Sequence, residues 1–270
     1  MRNLSEVLVH ENNDSMTVEV LKTAKNVKDG GSVATQVSEL RMLKSRLIEM
    51  ASHQFRTPLS EALSSAYLIG QYNREDQQEK RAMHLDRIIT SVNSLTEILD
   101  DFLAVGKLKD DKVVTNFVYF DVKHKISKMI VDLNNYCNLK MDIVYEHIGD
   151  ETKVILDPVL LKGAMLHLLS NAIKFSSGAC PILITTRLTE RHFEVSVKNQ
   201  GIGIPLTEQP NLFRLFYRSD NVANIQGAGM GLYVAKRYVE LMGGTIGFTS
   251  EPGKETEFTM GFNIITSSLN

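Results

Sequence analysis

Two stretches of the chain repeat an apolar side chain at spacings of three and four residues. The second stretch contains Leu85, Ile88, Val92, Leu95, Leu99 and Phe102, and the first contains Val37, Leu40, Leu43, Leu47 and Met50. This spacing predicts two amphipathic helices, and the polar residues 70–80 between them predict a turn. A helical hairpin of this size buries too little apolar surface alone, so we expect two copies to form a dimeric four-helix bundle. Packing of the hairpin on its own downstream domain is the alternative.

Beyond residue 112 the pattern changes to alternating helices and strands. Asp157-Pro158 is a capping residue followed by a proline at the first helical position, which predicts a helix from there to Phe175. Further helices are predicted at Val122–Leu133, capped by Asp121, and at Gly231–Met242. Strands are predicted at Leu139–Tyr145, Lys153–Leu156, Ile182–Leu188, Phe193–Val197, Thr245–Thr249 and Thr256–Phe262. Because the strands come in adjacent pairs, we expect antiparallel pairing in an α+β two-layer sandwich with helices on one sheet face.

Composition narrows the class of protein. The net charge of −2 gives no reason to expect nucleic acid as a partner. Cys137 and Cys180 are far apart, which argues against a disulfide scaffold or a zinc cluster and suits a reducing compartment. No apolar run approaches 18 residues and no signal-peptide pattern is present, so we expect a cytoplasmic chain without a membrane segment.

One histidine lies in an unusual setting, the string Ser52-His53-Gln54-Phe55-Arg56-Thr57-Pro58-Leu59. A proline inside a helix costs about 3 kcal/mol and so needs a reason. A neutral imidazole is a competent nucleophile toward phosphorus near pH 7, since the unperturbed pKa of histidine is about 6.5. An exposed or structural histidine is the alternative interpretation of this position.

Polar residues mark one face of the helix that follows Asp157-Pro158. His167, Asn171 and Lys174 are spaced at i, i+4 and i+7, opposite the leucines. An asparagine carbonyl suits Mg²⁺ and a lysine can neutralise phosphate. An ordinary buried helix with a polar stripe is the alternative.

Two glycine-containing strings follow, Asn199–Pro205 and Gly227–Leu232. The second has three alternating glycines that open onto a helix, where backbone N–H groups can approach an anion. It is not a dinucleotide-binding fingerprint, because no strand leads into it within a βαβ unit. The chain also has no Walker-type GK[ST] sequence.

Taken in order, these strings resemble the boxes of sensor histidine kinases of the GHKL ATPase superfamily, from Val37 to Phe262. They are the acceptor box, the asparagine box, two glycine boxes, the phenylalanine box Leu212–Arg218 and the closing string Gly253–Phe258. The resemblance implies autophosphorylation of His53 by ATP with Mg²⁺, and phosphotransfer to an aspartate of a response-regulator receiver domain. It implies roles for Gln54 and Thr57 beside the acceptor, Mg²⁺ binding by Asn171, and an ATP lid at about Thr207–Gln226. The implied nucleotide-binding residues are His167, Asn171, Lys174, Phe175, Asn199, Gly201, Gly203, Ile204, Phe216, Arg218, Gly227, Gly229, Met230, Gly231, Leu232 and Thr256.

The resemblance also assigns functions to the segments of the chain. Residues 1–35 are expected to be a linker or the tail of a sensor module. Residues 36–105 form the dimerisation and phosphotransfer hairpin, residues 106–112 a hinge, and residues 113–270 the ATP-binding catalytic domain.

Three positions depart from the family pattern. Gln54 replaces the acid that follows the histidine, Asn199 replaces an adenine-binding aspartate, and His167 replaces the first asparagine of the asparagine box. Gln54 and Asn199 keep open the alternative of a dimeric ATP-binding scaffold without autokinase activity. A second alternative is a GHKL-type ATPase that hydrolyses ATP, but the acceptor box, the helical hairpin and the lack of a glutamate base in the asparagine box argue against it.

Overall fold

The computed structural model describes residues 30–110, 112–137, 142–178, 180–219 and 227–264, and the chain divides into two units, residues 1–53 and 54–270. Helix α1 runs over Gly30–Gln71. Gly30, Gly31 and Ser32, whose glycines favour a break in a helix, are the first described residues and are helical. Met16–Val27, whose sequence allows a short helix, lies outside the described residues.

In the second unit the rest of α1 and helix α2 (Gln78–Lys109) form the predicted hairpin, joined through a short 3₁₀ turn at Glu75–Gln77. Ser91 donates a hydrogen bond of 3.4 Å to Glu61 across the hairpin, and the His84 ring stacks on Tyr72 at 5.6 Å. The helical hairpin is therefore confirmed.

Helix α2 continues through Gly106, where the expected hinge begins. A glycine inside a helix costs about 1 kcal/mol relative to alanine. The neighbouring Val105 and Leu108 are buried, at 0% and 5% exposure, and their packing offsets that cost.

The downstream region contains two sheets, a two-stranded one with order β1-β3 and a five-stranded one with order β2-β4-β5-β7-β6. The strands are β1 (Val118–Asp121), β2 (Ile143–Ile148), β3 (Lys153–Leu156), β4 (Ile182–Leu188), β5 (His192–Gln200), β6 (Thr245–Glu251) and β7 (Glu255–Asn263).

The prediction that adjacent strands pair antiparallel is wrong for β2 and β3. Strand β2 pairs in parallel with β4, and β3 pairs antiparallel with β1 in the small sheet. A parallel pair needs a long crossover, and β3 followed by a helix supplies it here. The pairs β4–β5 and β6–β7 are antiparallel as predicted.

Helices α3 (Val122–Cys137), α4 (Pro158–Phe175) and α5 (Gly231–Leu241) complete the sandwich. One carboxylate oxygen of Asp157 accepts hydrogen bonds of 2.8 and 3.0 Å from the first amides of α4, which confirms the predicted cap. Along β4, every second residue from Ile182 to Leu188 is buried, so the helices cover one sheet face. The α+β two-layer sandwich is confirmed. Within the described ranges no helix has the length and apolar character of a membrane span.

Candidate functional site

An open cavity lies beside the C-terminal half of α4, and most of the predicted nucleotide residues line it. Those lining it are His167, Asn171, Lys174, Phe175, Asn199, Gly203, Ile204, Arg218, Gly227, Gly229, Gly231, Leu232 and Thr256. Of the predicted set, Gly201, Phe216 and Met230 do not line it. The structure thus brings the asparagine box, both glycine boxes and the closing string together at one place.

The three predicted residues that do not line the cavity support its wall. A side chain at Gly201 would collide with the carbonyl oxygen of Phe175, so only glycine lets the two segments meet. Phe216 has a φ of 66° and its amide donates a 2.9 Å hydrogen bond to Gly229. The side chain of Met230 is fully buried at the start of α5. These positions shape the cavity from behind.

The polar face of α4 points into the cavity as the spacing predicted. His167, Asn171 and Lys174 all line it, and Ser170, which the sequence analysis did not select, lies between them. The leucines Leu161, Leu168 and Leu169 are buried in the sandwich core on the other side of the helix. This amphipathic division fixes the polar face toward the cavity.

A second wall is built from the ends of β5 and β7. Asn199 is 6% exposed and is paired in register with Thr256 of the neighbouring strand. The Thr256 hydroxyl lies 2.8 Å from that of Ser250, which accepts a 2.9 Å hydrogen bond from the amide of Ile204. These contacts place the polar side chains of Asn199 and Thr256 at the floor of the cavity.

The third wall comes from the hairpin, which the sequence analysis did not connect with the site. Glu97, Ile98 and Asp101 of α2 line the same cavity. Both carboxylate oxygens of Glu97 accept 2.9 Å hydrogen bonds from the ammonium group of Lys174, and the Ser170 hydroxyl donates a third of 2.6 Å. Helix α2 is therefore bonded directly to the polar face of α4.

One turn further along α2, Asp101 faces His167. The Asp101 Oδ1 to His167 Nδ1 distance is 3.5 Å, and Oδ1 is buried with no hydrogen-bond partner among the described residues. Burial, reinforced by the nearby charge of Glu97, raises the pKa of Asp101 to about 7. Burial also lowers the pKa of His167 to about 4. Near neutral pH this contact therefore joins an uncharged imidazole to a partly protonated carboxyl group, which is not a salt bridge.

The pKa of Glu97 is shifted in the opposite direction from that of Asp101. Burial raises its pKa, but Lys174 and Ser170 together outweigh burial and leave it below the usual value. Glu97 is thus a carboxylate at neutral pH, paired with the lysine of the asparagine box.

A seven-residue repeat in the sequence marks the buried face of α2. His84, Ser91, Ile98 and Val105 are spaced seven residues apart, and all are buried in the structure. Asp101 and Leu108 are each three residues beyond a member of this series and are also buried. Two members of this series are polar, and a search for apolar repeats alone therefore missed it.

The predicted catalytic residues lie on α1. His53 ends the first unit and its side chain is exposed, while Ser52 donates a 2.9 Å hydrogen bond to the carbonyl of Ile48. In the second unit Gln54 is half-buried, Thr57 is exposed and Pro58 is buried within the helix. The acceptor string is thus helical with its histidine open to solvent.

The hairpin and the cavity-bearing sandwich each match a known domain family. Residues 43–111 match the model of the His Kinase A (phospho-acceptor) domain, and residues 156–264 match that of the histidine kinase-, DNA gyrase B- and HSP90-like ATPase. The chain thus carries the phospho-acceptor domain and the ATPase domain of histidine kinases.

The most similar relatives include sensor kinases of bacteria. The chain is 29% identical over 235 residues to the sensor histidine kinase GacS of Pseudomonas protegens, covering 84% of this chain and 25% of that protein. It is 29% identical over 244 residues to the signal transduction histidine-protein kinase BarA of Escherichia coli, covering 85% and 26%. The chain thus spans about a quarter of the length of these curated relatives.

Solved structures support the fold. The histidine kinase AdeS of Acinetobacter baumannii has a TM-score of 0.59 at 19% identity, covering 78% of this chain and 98% of that one. The histidine kinase ThkA, solved in complex with the response regulator protein TrrA, has a TM-score of 0.61 at 19% identity, covering 87% and 65%.

Proposed function

We propose that this chain is an ATP-dependent protein-histidine kinase that phosphorylates His53 and then passes the phosphoryl group to an aspartate of a response-regulator receiver domain. The observation that carries the proposal is the pairing of two features in one chain. An exposed histidine stands in a segment matched by the phospho-acceptor model, and the cavity lies in a domain matched by the ATPase model.

The cavity walls suit the parts of ATP. The Asn199 carbonyl can accept a hydrogen bond from the adenine amino group, and Phe175, Ile204 and Leu232 offer apolar surface to the base. The glycines from Gly227 to Gly231 precede the N-terminus of α5, whose amides favour phosphate. Lys174 and Arg218 add positive charge beside that position. We assign the remaining predicted residues Gly201, Gly203, Phe216, Met230 and Thr256 to shaping this site.

Asn171 fits a role as the protein ligand of Mg²⁺. Its side chain lines the cavity between His167 and Lys174, and an amide oxygen is a hard ligand of the kind that Mg²⁺ prefers. Mg²⁺ is usually held by one or two protein oxygens together with substrate phosphates and water. A bound Mg²⁺ ion would neutralise part of the negative charge on the phosphates.

Phosphoryl transfer here rests on positioning and charge neutralisation. A ring nitrogen of His53 forms the new N–P bond as the bond from the γ-phosphorus to the bridging oxygen breaks and ADP leaves. The ring must then lose one proton. Gln54, the next residue, has an amide that can accept a hydrogen bond from the ring N–H but cannot take the proton. We therefore assign the proton to solvent or another base.

We also propose the segment roles and partners that the resemblance implies. Residues 1–35 act as a linker or sensor tail, 36–105 as the dimerising phosphotransfer hairpin, 106–112 as a hinge and 113–270 as the catalytic domain.

Exposed apolar residues support a homodimer through the hairpin. They include Leu59, Leu63 and Tyr67 on α1 and Leu85, Ile89, Val92, Leu99 and Leu103 on α2. The solved complex of the histidine kinase ThkA with the response regulator protein TrrA supports such a regulator as the partner.

The test is incubation with ATP radiolabelled in its γ-phosphate, followed by acid and base treatment of the protein. Wild type should acquire a label that is acid-labile and base-stable, and His53→Gln should acquire none while still binding ATP. His124→Gln, which changes an exposed histidine of α3, is the matched control and should label like wild type. Label that persists on His53→Gln refutes the assignment of the acceptor. ATP binding without label on either protein favours the scaffold alternative.

A further inference from the structure

Two carboxylates of α2 lie on the polar face of α4, at the places where the phosphates of a nucleotide are expected. Glu97 holds Lys174 and Ser170 through hydrogen bonds of 2.6–2.9 Å. Asp101 lies one turn further along and contacts His167. The two acids are spaced at i and i+4, so they share one face of α2.

These contacts coincide with the two anion-binding elements of the site. Lys174 is the cation of the asparagine box. The His167 ring lies against Gly231 at the N-terminus of α5, since a side chain at Gly231 would come within 3.2 Å of His167 Nδ1. One acid of α2 therefore meets the lysine, and the other lies behind the histidine that borders the helix terminus.

We propose that Glu97 of the hairpin acts as an internal competitor of the nucleotide phosphates, so that α2 and the phosphates occupy the polar face of α4 in turn. This inference rests on the proposed nucleotide site. Occupation by Glu97 lowers the affinity for ATP, and bound nucleotide releases this part of α2 from the catalytic domain.

Charge repulsion sets the two occupants in competition at Lys174. An ammonium group has three N–H donors, and two hydrogen bonds already run to the oxygens of Glu97. A phosphate that approached the same group would also meet the carboxylate charge at close range, where the cavity's reduced contact with water strengthens repulsion. Glu97 must therefore leave before a phosphate can take its place.

Asp101 contributes differently from Glu97. Its Oδ1 is buried and lacks a hydrogen-bond partner among the described residues. A buried carboxyl oxygen without a partner is costly to keep in place. The cost is removed when α2 moves away from α4. Asp101 therefore weakens the contact between α2 and α4, whereas the hydrogen bonds of Glu97 stabilise it.

The experiment measures binding of ATP, ADP and adenosine by calorimetry to the whole chain and its variants. Glu97→Gln removes the charge. Glu97→Asp keeps the charge but is one methylene shorter and should not reach Lys174. Asp100→Asn removes an exposed charge from the adjacent position of α2, away from the cavity, and is the matched control.

We expect both Glu97 variants to bind ATP and ADP about two- to fivefold more tightly than wild type, which is the range of one partly exposed ion pair. Adenosine, which lacks phosphates, should bind all proteins equally. Asp100→Asn should bind ATP like wild type. In addition, ADP should accelerate amide hydrogen exchange in residues 97–108 of wild type, as α2 is released.

Four results would overturn the inference while leaving the nucleotide site intact. The first three are ATP affinities of both Glu97 variants equal to wild type, equal tightening by Asp100→Asn, and slower exchange of residues 97–108 with ADP. Tightening by Glu97→Gln alone, without Glu97→Asp, would indicate a general effect of charge and also overturns it. Failure of wild type and every variant to bind any nucleotide refutes the proposed function itself.

Discussion

The ammonium group of Lys174 lies 2.9 Å from each carboxylate oxygen of Glu97, although the two residues are 77 positions apart in the chain. Both side chains are partly exposed, at 30% and 39%, so the pair itself contributes only about 0–1 kcal/mol to folding. Its importance is its position, because it ties the hairpin to the cavity face that carries Asn171. The hairpin thus contributes directly to the wall of the proposed ATP site.

The first prediction concerns Asn171. Its side chain lines the cavity and is only half-buried, so we expect Asn171→Ala to melt close to wild type without nucleotide. Binding of ATP in the presence of Mg²⁺ should fall at least tenfold, while binding without Mg²⁺ should change little. Asn93→Ala, at an exposed asparagine of α2, is the control. A large loss of melting temperature in the absence of nucleotide would favour a purely structural role.

The second prediction concerns dimerisation. Leu63 is 74% exposed on α1, and a twofold dimer would bury two copies of it. Burying a leucine is worth about 1.5–3 kcal/mol, so Leu63→Glu should weaken the dimer by about two orders of magnitude or more. Light scattering at tens of micromolar should show a dimer for wild type and a monomer for the variant.

The matched control for the dimer is Ile155→Glu, which changes an exposed apolar residue of β3 at 51% exposure. It should leave the dimer unchanged. A wild-type monomer at this concentration, or equal loss of dimer in both variants, contradicts dimerisation through the hairpin.

Helices and strands were predicted well from the sequence where capping residues and the local apolar pattern determine them. Helix α4 begins and ends where predicted, because Asp157-Pro158 marks its start and the apolar stripe its length. The parallel pairing of β2 with β4 was not predicted, since no local signal distinguishes a strand that joins its neighbour from one that joins the next strand but one.

The candidate site shows the same division. Asn171 and Gly229, which belong to short continuous motifs, were predicted because the residue types and their spacing within each motif indicate nucleotide binding. Glu97 was missed because it is an ordinary acid on a helix until tertiary packing places it in the cavity. Asp101 was missed because the buried repeat to which it is related contains polar residues.

The third prediction concerns pH. The pKa of Asp101 is raised from 3.8 to about 7 by burial and by the neighbouring charge of Glu97, against the opposing effect of Lys174. The folded protein therefore holds this proton more tightly than the unfolded chain. Stability attributable to Asp101 is lost as the pH rises through about 7. Asp101→Asn cannot ionise, so it should melt higher than wild type at pH 8 and show a smaller difference at pH 5.

The size of this effect should be several degrees at pH 8, because about 1 kcal/mol corresponds to roughly 2–4 °C in a domain of this size. His167 has a pKa of about 4, stays neutral from pH 5 to 8 in the folded protein and is common to both proteins. Asp86→Asn, at an exposed aspartate of α2, is the control and should follow wild type at every pH. A difference in melting temperature that is constant from pH 5 to 8 contradicts the raised pKa.

The fourth prediction concerns Thr57, which is exposed four residues after the acceptor. The resemblance to sensor histidine kinases implies that a hydroxyl or amide at this position orients water for dephosphorylation of the regulator. Thr57→Ala should therefore slow loss of phosphate from the regulator more than it slows labelling of His53. Thr57→Ser keeps the hydroxyl and should restore the rate. Equal slowing of both reactions would show that Thr57 only bonds back to the helix.

The last prediction concerns Gln54, which stands where the family has an acid. General-base assistance is worth about 10²–10⁴-fold, so a chain without a carboxylate here should label His53 slowly. The amide of Gln54 can still orient the ring by accepting a hydrogen bond from its N–H. The proton then leaves to solvent after the phosphoryl group has transferred, so activity is reduced and not abolished. Gln54→Glu should raise the initial rate of labelling with little change in ATP affinity.

The Gln54→Glu rate should also fall at mildly acid pH as the new carboxylate is protonated, which the wild-type rate should not do in the same way. Gln71→Glu places the same charge at the exposed end of α1 and is the control. It should label at the wild-type rate, because a charge that does not reach the imidazole cannot accept its proton. A rate for Gln54→Glu that is unchanged or lower means that proton removal is not limiting or is carried out by another group. A rise shared by Gln71→Glu would assign the effect to net charge rather than to a base beside His53.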